Sequence, residues 1–250
     1  MTGGDTHHDR HDLTGQTVVV IGAGAGIGLD TARRVRAGGG EVVLAGRNPE
    51  RLRRAALELR PVSTAAFDAT DTDRLERFFR DLPGTVDHVL LTAGGPFYMP
   101  LADIDVAEAS RHFGERLAMP LGVALHSRGR VRPGGTLLFI GGTGARRPGV
   151  GLAVATALTA ALPALTANLA LELAPIRVNL IAAGFVDTPL SASLLGDRLE
   201  ARREELRATL PIRRVVGPED VAALATHIMC NDALTGGTYD IDGGQGLLPH

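Results

Sequence analysis

The chain has 250 residues, 44% of them hydrophobic and 22% charged, with a formal net charge of -2, a length and balance that suit one domain with a full-sized core. The slightly acidic balance argues against nucleic acid or an anionic membrane as the main partner, because both select for a basic face. A lone Cys230 excludes an internal disulfide, and no signal peptide precedes the first predicted strand, so a cytoplasmic location is expected.

Residues 1–12, with His7, His8 and His11, are expected to be a flexible polar tail rather than a metal site, since no Cys and no helical frame organises the imidazoles. Residues 13–250 are expected to form a single domain. Short β-rich runs fall at Thr17 to Ile21, Glu41 to Ala45, Thr64 to Phe67, His88 to Thr92, Gly135 to Ile140, Arg177 to Ile181 and Thr238 to Ile241. Helical segments separate them, which predicts a doubly wound, parallel, seven-stranded α/β sheet with helices on both faces. Asn48-Pro49-Glu50 gives an N-cap, a first-turn proline and a first-turn acid, and Asp71 caps Thr72 to Leu82 in the same way. Gly217-Pro218-Glu219-Asp220 opens a last helix to about Met229. The apolar stretch Val150 to Leu171 is rich in Ala and Thr and holds Pro163. It predicts a buried or interface helix, not a membrane span.

The first chemical signal is the apolar strand Val18-Val19-Val20-Ile21 running into Gly22-Ala23-Gly24-Ala25-Gly26-Ile27-Gly28 and then a helical pattern. Glycine in the turn allows backbone forms closed to other residues. Near the helix start it also lets a pyrophosphate approach free N–H groups and the positive end of the helix dipole. The spacing of Gly22, Gly26 and Gly28, placed after a strand and before a helix, resembles the short-chain dehydrogenase/reductase family and its Rossmann-type fold.

That resemblance runs from about Leu13 to Leu248. It implies that Asp68, followed by Ala69, meets the adenine amino group, and that Thr92-Ala93-Gly94 lies beneath the cofactor. It also implies that Gly184, Val186 and Thr188, after the strand beginning Arg177-Val178-Asn179, hold the nicotinamide amide. Ala183 stands where the family usually has Pro. The closing Pro218-Glu219-Asp220 and Asp242-Gly243-Gly244 match structural parts of the family pattern.

Cofactor choice is argued from Gly46-Arg47-Asn48 at the end of the second predicted strand. An NAD site puts Asp or Glu there to accept from ribose hydroxyls, whereas a 2'-phosphate needs that acid absent and a guanidinium nearby. Gly46 and Arg47 meet both conditions, so NADP(H) is expected over NAD(H). Ala25 supplies no basic residue in the Gly-rich turn.

The catalytic positions depart from the family. The resemblance implies a Ser, a Tyr with a Lys four residues on, and an Asn. Alignment puts Gly142, Ala155, Thr159 and Arg116 at those positions. All 26 basic residues other than His are Arg, so no register of the chain contains a Tyr–Lys pair. Weak substitutes are Tyr98 and the hydroxyls of Thr143 and Thr156, although a cluster such as that around Tyr98 is more often an apolar pocket wall and helical Thr often bonds back to the preceding turn. Arg116 suits an anionic ligand or an oxyanion, but a surface or interhelix ion pair is the simpler expectation. Pro163 would free the carbonyl of Thr159 and bend the helix.

Two functions follow as expectations. The first is an NADP(H)-binding protein with a degenerate catalytic site and a regulatory or structural role, which takes the dinucleotide and a small-molecule ligand. The alternative is a divergent NADP-dependent oxidoreductase whose substrate, such as an imine or enone, does not need the Tyr/Lys proton donor. The resemblance implies pairing of the helices near Val106 to Ser127 and Val150 to Leu173 into a homodimer or homotetramer, and the Ala-rich face of the second suits close packing.

Overall fold

Continuous apolar runs along the strands decide the architecture, because successive residues of a strand point to opposite faces and both faces then need cover. The computed structural model describes residues 13–146 and 148–248; the predicted tail and its histidines lie outside the described residues. Strands β1 (Thr17–Ile21), β2 (Glu41–Gly46), β3 (Ser63–Ala66), β4 (Val86–Leu91), β5 (Val131–Gly142), β6 (Arg177–Ala183) and β7 (Thr238–Ile241) form one sheet in the order β3-β2-β1-β4-β5-β6-β7. Every neighbouring pair is parallel.

The helices are α1 (Gly26–Ala37), α2 (Pro49–Leu59), α3 (Thr72–Arg80), α4 (Val106–Ser127), α5 (Ala153–Glu172), α6 (Pro189–Leu195), α7 (Leu199–Thr209) and α8 (Pro218–Cys230). Val18, Val20, Val42 and Leu44 pack with Ala32, Val35, Leu52 and Ala225 of α1, α2 and α8. The intervening Val19, Ile21, Val43 and Ala45 pack with Leu75, Met119, Val123 and Leu162 of α3, α4 and α5. Helices therefore cover both faces. Each fully buried Val or Leu contributes roughly 1.5–3 kcal/mol of transfer free energy.

The first and last strands begin and end where the sequence puts them. Asn48 accepts from the backbone N–H of Arg51 at 2.9 Å and Asp71 from that of Arg74 at 3.1 Å, as the capping pattern requires. β5 departs from expectation by starting at Val131 rather than Gly135. Pro133-Gly134-Gly135 masks the strand signal there, and the pairing with β4 shifts register between Val86 and His88. Among the described residues α5 is long and apolar enough to cross a membrane by length and composition. Here it lies on β5 and β6 and against α4, burying Val154, Leu158, Leu162 and Leu169.

Two buried polar groups tie the sheet together. Arg177, at the start of β6, donates to the carbonyls of Gly134, Ile228, Met229, Asn231 and Leu234 at 2.7–3.2 Å. It thus joins β5 to the C-terminal end of α8 and the loop toward β7. On β4, His88 is buried, its Nε2 2.7 Å from Gln16 Oε1 and its Nδ1 without a hydrogen-bond partner among the described residues. Its pKa is lowered to about 3, by burial first and by the charges of Arg177 and Arg132, against the opposing charge of Asp87.

Arg177→Met is expected to lose roughly 3 kcal/mol of stability in urea unfolding, because it strips several buried carbonyls of their donor at once. An unchanged midpoint would refute that role. For His88 the folded pKa lies below the unfolded value of 6.5, so its contribution is intact above pH 6.5 and is lost as pH falls toward 3. Stability should drop by about 2 kcal/mol between pH 6.5 and about pH 5 from this group, at 1.36 kcal/mol per unit. His88→Gln should flatten that part of the profile, measured by unfolding at each pH.

Candidate functional site

The strand order reverses between β1 and β4, and the connections leaving those two strands diverge to opposite faces. A crevice opens at the carboxyl ends there, the usual ligand position in an open α/β sheet. Two adjoining cavities occupy it, of about 420 Å³ and about 800 Å³. Ile27, Thr92, Ala93, Gly94, Thr188 and Leu190 line both, so the two halves form one continuous groove.

The Gly-rich turn shapes the floor of the smaller cavity. Gly22 has φ +106°, and a Cβ there would run into Thr92 Oγ1. Thr92 Oγ1 in turn lies 3.3 Å from the carbonyls of Ile21 and Gly22, which pins the end of β4 to the end of β1. Gly28 lines neither cavity; a side chain there would strike the Gly22 carbonyl and Thr92. Its role is close helix–strand packing. α1 starts at Gly26 behind Ala25, with no side-chain cap and no acid in its first turn. Its first N–H groups and positive dipole end are therefore available to an anion.

The smaller cavity gathers Gly22, Gly24, Ala25, Gly26, Ile27, Gly46, Arg47, Asn48, Asp68, Ala69, Ala93, Gly94 and Thr188. Arg47 is 74% exposed, and its guanidinium lies 3.7 Å from Asp68. Asp68 also accepts from Thr70 N at 3.0 Å and Thr70 Oγ1 at 2.9 Å. Against the raising effect of burial, these bonds and the Arg47 charge hold its carboxyl below its ordinary value. Sequence reasoning missed Arg51, which lines the same cavity. The Asn48 cap gives the signal that finds it, because capping places Arg51 in the first turn of α2, one turn beyond Arg47.

The larger cavity gathers Gly142, Thr143, Ala155, Thr156, Thr159, Arg116 and Tyr98, together with Gly184 and Val186. Two of its threonine hydroxyls are engaged locally. Thr159 Oγ1 lies 2.9 Å from the Ala155 carbonyl and 3.0 Å from that of Thr156, and Thr156 Oγ1 faces the Gly144 carbonyl at 3.4 Å. The Thr159 contacts are the back-bonding expected of helical threonines, whereas the Thr156 contact reaches outside α5 to the turn that follows β5. Tyr98 is 55% exposed at the cavity wall, and partial burial raises its pKa. α5 continues through Pro163 to Glu172.

Arg116 corrects an expectation. No carboxylate pairs with it among the described residues, so the simple ion-pair reading fails. Its Nη1 donates to the Ala93 carbonyl at 2.9 Å, and its guanidinium covers Gly94, where φ is +106° and a Cβ would overlap it. Burial lowers its pKa from the ordinary arginine value. One turn earlier on α4, the His112 ring stacks on Phe97 with centroids 5.2 Å apart. Burial first, and the Arg116 charge next, lower the His112 pKa.

The sequence profile described as Enoyl-(Acyl carrier protein) reductase matches residues 22–245. Dehydrogenase/reductase SDR family member 4 of Sus scrofa is 32% identical, over 94% of this chain and 88% of its own. Among solved structures, the MalC Reductase/Diels-Alderase from Malbranchea aurantiaca superposes with a TM-score of 0.87 at 27% identity, covering 96% of this chain and 100% of that one. A small-chain dehydrogenase in complex with NADPH superposes with a TM-score of 0.80 at 27% identity, covering 93% and 99%.

Proposed function

The chain belongs to the short-chain dehydrogenase/reductase family, and from that premise we propose that it binds NADP(H) along the groove, takes a small molecule in the adjoining cavity, and does not reduce ordinary ketones through a tyrosine donor. The observation that carries the cofactor choice is the end of β2. Gly46 supplies no acid for a ribose hydroxyl, while Arg47 and Arg51 bring two guanidinium groups to the cavity rim. The uncapped start of α1 suits the pyrophosphate. The family's use of a nicotinamide dinucleotide and the NADPH held by a structural neighbour support the same reading.

In this reading the catalytic site is degenerate. Gly142, Ala155 and Thr159 offer no acid, and a chain without Lys has no ammonium to lower a phenol's pKa. General acid catalysis typically contributes about 10²- to 10⁴-fold, and a fixed oxyanion donor about 10²- to 10³-fold. Without them, ketone reduction is slow even where hydride is well placed. A regulatory or structural role for the bound nucleotide fits that deficit.

One observation favours the second reading, an NADP-dependent oxidoreductase acting on an acceptor that needs no side-chain acid. A cavity of about 800 Å³ adjoins the groove, more than nucleotide binding alone requires. Arg116, which meets no carboxylate among the described residues, sharpens the choice of acceptor. An iminium ion carries the same charge and is disfavoured beside it, whereas an enone is neutral and develops negative oxygen on hydride addition. Assembly as a homodimer or homotetramer through α4 and α5 draws support from the exposed Leu121 and Leu125 on α4 and the exposed Ala157, Ala160 and Ala164 on α5.

Titration of reduced-nicotinamide fluorescence, convenient in a chain without Trp, should give NADPH affinity well above that for NADH. Arg47→Ala should weaken NADPH about tenfold with little effect on NADH. Equal affinity for the two nucleotides in the unaltered protein would sink the assignment. With NADPH present, aryl ketones should show no turnover above background. Ketone reduction at roughly 1 s⁻¹ or faster would overturn the degenerate-site reading, and steady enone reduction would favour the enzyme over the regulatory protein.

A further inference from the structure

A guanidinium has five N–H donors in a planar fork. In Arg116 one is used by the Ala93 carbonyl, and the described residues supply no carboxylate to the rest. The side chain lines the larger cavity. The other charged residues on that lining, Arg202 and Glu205, pair with each other at 2.7 Å, so Arg116 is the lining charge left without a counterion among the described residues. Most of the remaining wall is apolar, formed by Ile140, Leu152, Leu158, Leu162, Phe185 and Leu190, with Thr143, Thr156 and Thr159 among them.

A charge half withdrawn from water and facing an apolar hollow is costly until an opposite charge joins it. The pairing that satisfies a single planar fork is a carboxylate, held by two parallel hydrogen bonds. A phosphate group carries more charge than one guanidinium balances, and the anion-binding start of α1 borders the other cavity.

We infer that the larger cavity binds an amphipathic carboxylic acid, its carboxylate held by Arg116 and its apolar body laid against the walls formed by β5, α5 and the segment after β6. This names the ligand class for the cavity beside the proposed nucleotide and rests on that reading for its neighbour, though not for the anion contact itself. The close cover of Gly94 by the guanidinium holds the fork at the junction of the two cavities, so the acid's polar end lies at the nucleotide side and its apolar end toward the opening.

The test compares acids with their amides of matched shape: hexanoate with hexanamide, cinnamate with cinnamamide, and laurate with lauramide. Each is titrated calorimetrically into protein saturated with NADPH and into the nucleotide-free protein. In at least one pair the acid should bind about tenfold or more tighter than the amide, the usual return of a charge-assisted over a neutral hydrogen bond. Arg116→Gln should reduce that advantage to about twofold or less, and Arg116→Lys should keep part of it. The acid/amide comparison in the unaltered protein decides the matter even if a variant fails to fold. Amides binding as well as acids in every pair, or an advantage that survives Arg116→Gln, overturns the inference. So does loss of NADPH and acid affinity together in Arg116→Gln, since Arg116 would then serve the nucleotide. If NADPH does not bind the unaltered protein, the nucleotide reading fails, and the acid preference of the nucleotide-free protein judges the anion site separately.

Discussion

The groove exists because the backbone leaving β1 passes within contact of the backbone leaving β4. Gly22 turns with positive φ against Thr92, and the Thr92 hydroxyl closes the gap toward the carbonyls of Ile21 and Gly22. Gly28 brings α1 close behind the same turn. A side chain at either glycine would push α1 away from the sheet edge and move its first N–H groups off the crevice. The sheet order then does the rest, since reversal between β1 and β4 leaves no connection crossing the opening.

Much of this is legible in the amino-acid order. The continuous apolar runs Val18 to Ile21 and Val42 to Ala45 mark strands buried on both faces, and the Asn48 and Asp71 caps fix two helix starts. Both signals are local, and local chemistry decides them. The start of β5 is not legible, because Pro133, Gly134 and Gly135 break the strand pattern while pairing with β4 imposes it from outside. In the smaller cavity the glycines of the first turn follow from spacing, and Asp68, Ala69, Ala93, Gly94 and Thr188 from the family resemblance, whereas Arg51 needs the turn geometry of α2. In the larger cavity the sequence identifies which side chains are present, but not their partners. Whether Arg116 meets an acid depends on elements far apart in the chain, and the fold answers with the Ala93 carbonyl.

Arg177 and Arg116 show how differently one side chain behaves at the two ends of a parallel sheet. At the amino end of β6, Arg177 is enclosed and spends its donors on five backbone carbonyls. Its charge is absorbed by the aligned dipoles at the end of a helix. At the carboxyl edge, Arg116 bonds to a single carbonyl, covers Gly94 and lines the larger cavity. The first is a rivet. The second is a contact waiting for a partner, and it makes the larger cavity electrically positive although its walls are apolar.

The packing of Arg116 over Gly94 links two distant positions of the chain. With this guanidinium in place, position 94 is confined to glycine both by its φ of +106° and by the space the side chain fills. Exchanging Arg116 for a short residue would remove the steric half of that confinement and leave a hollow in front of Gly94 for water or a bulkier ligand. The two positions are therefore unequal in redesign: residue 94 stays glycine for its backbone whatever stands at 116, so the size of the side chain at 116 is what moves the boundary between the two cavities.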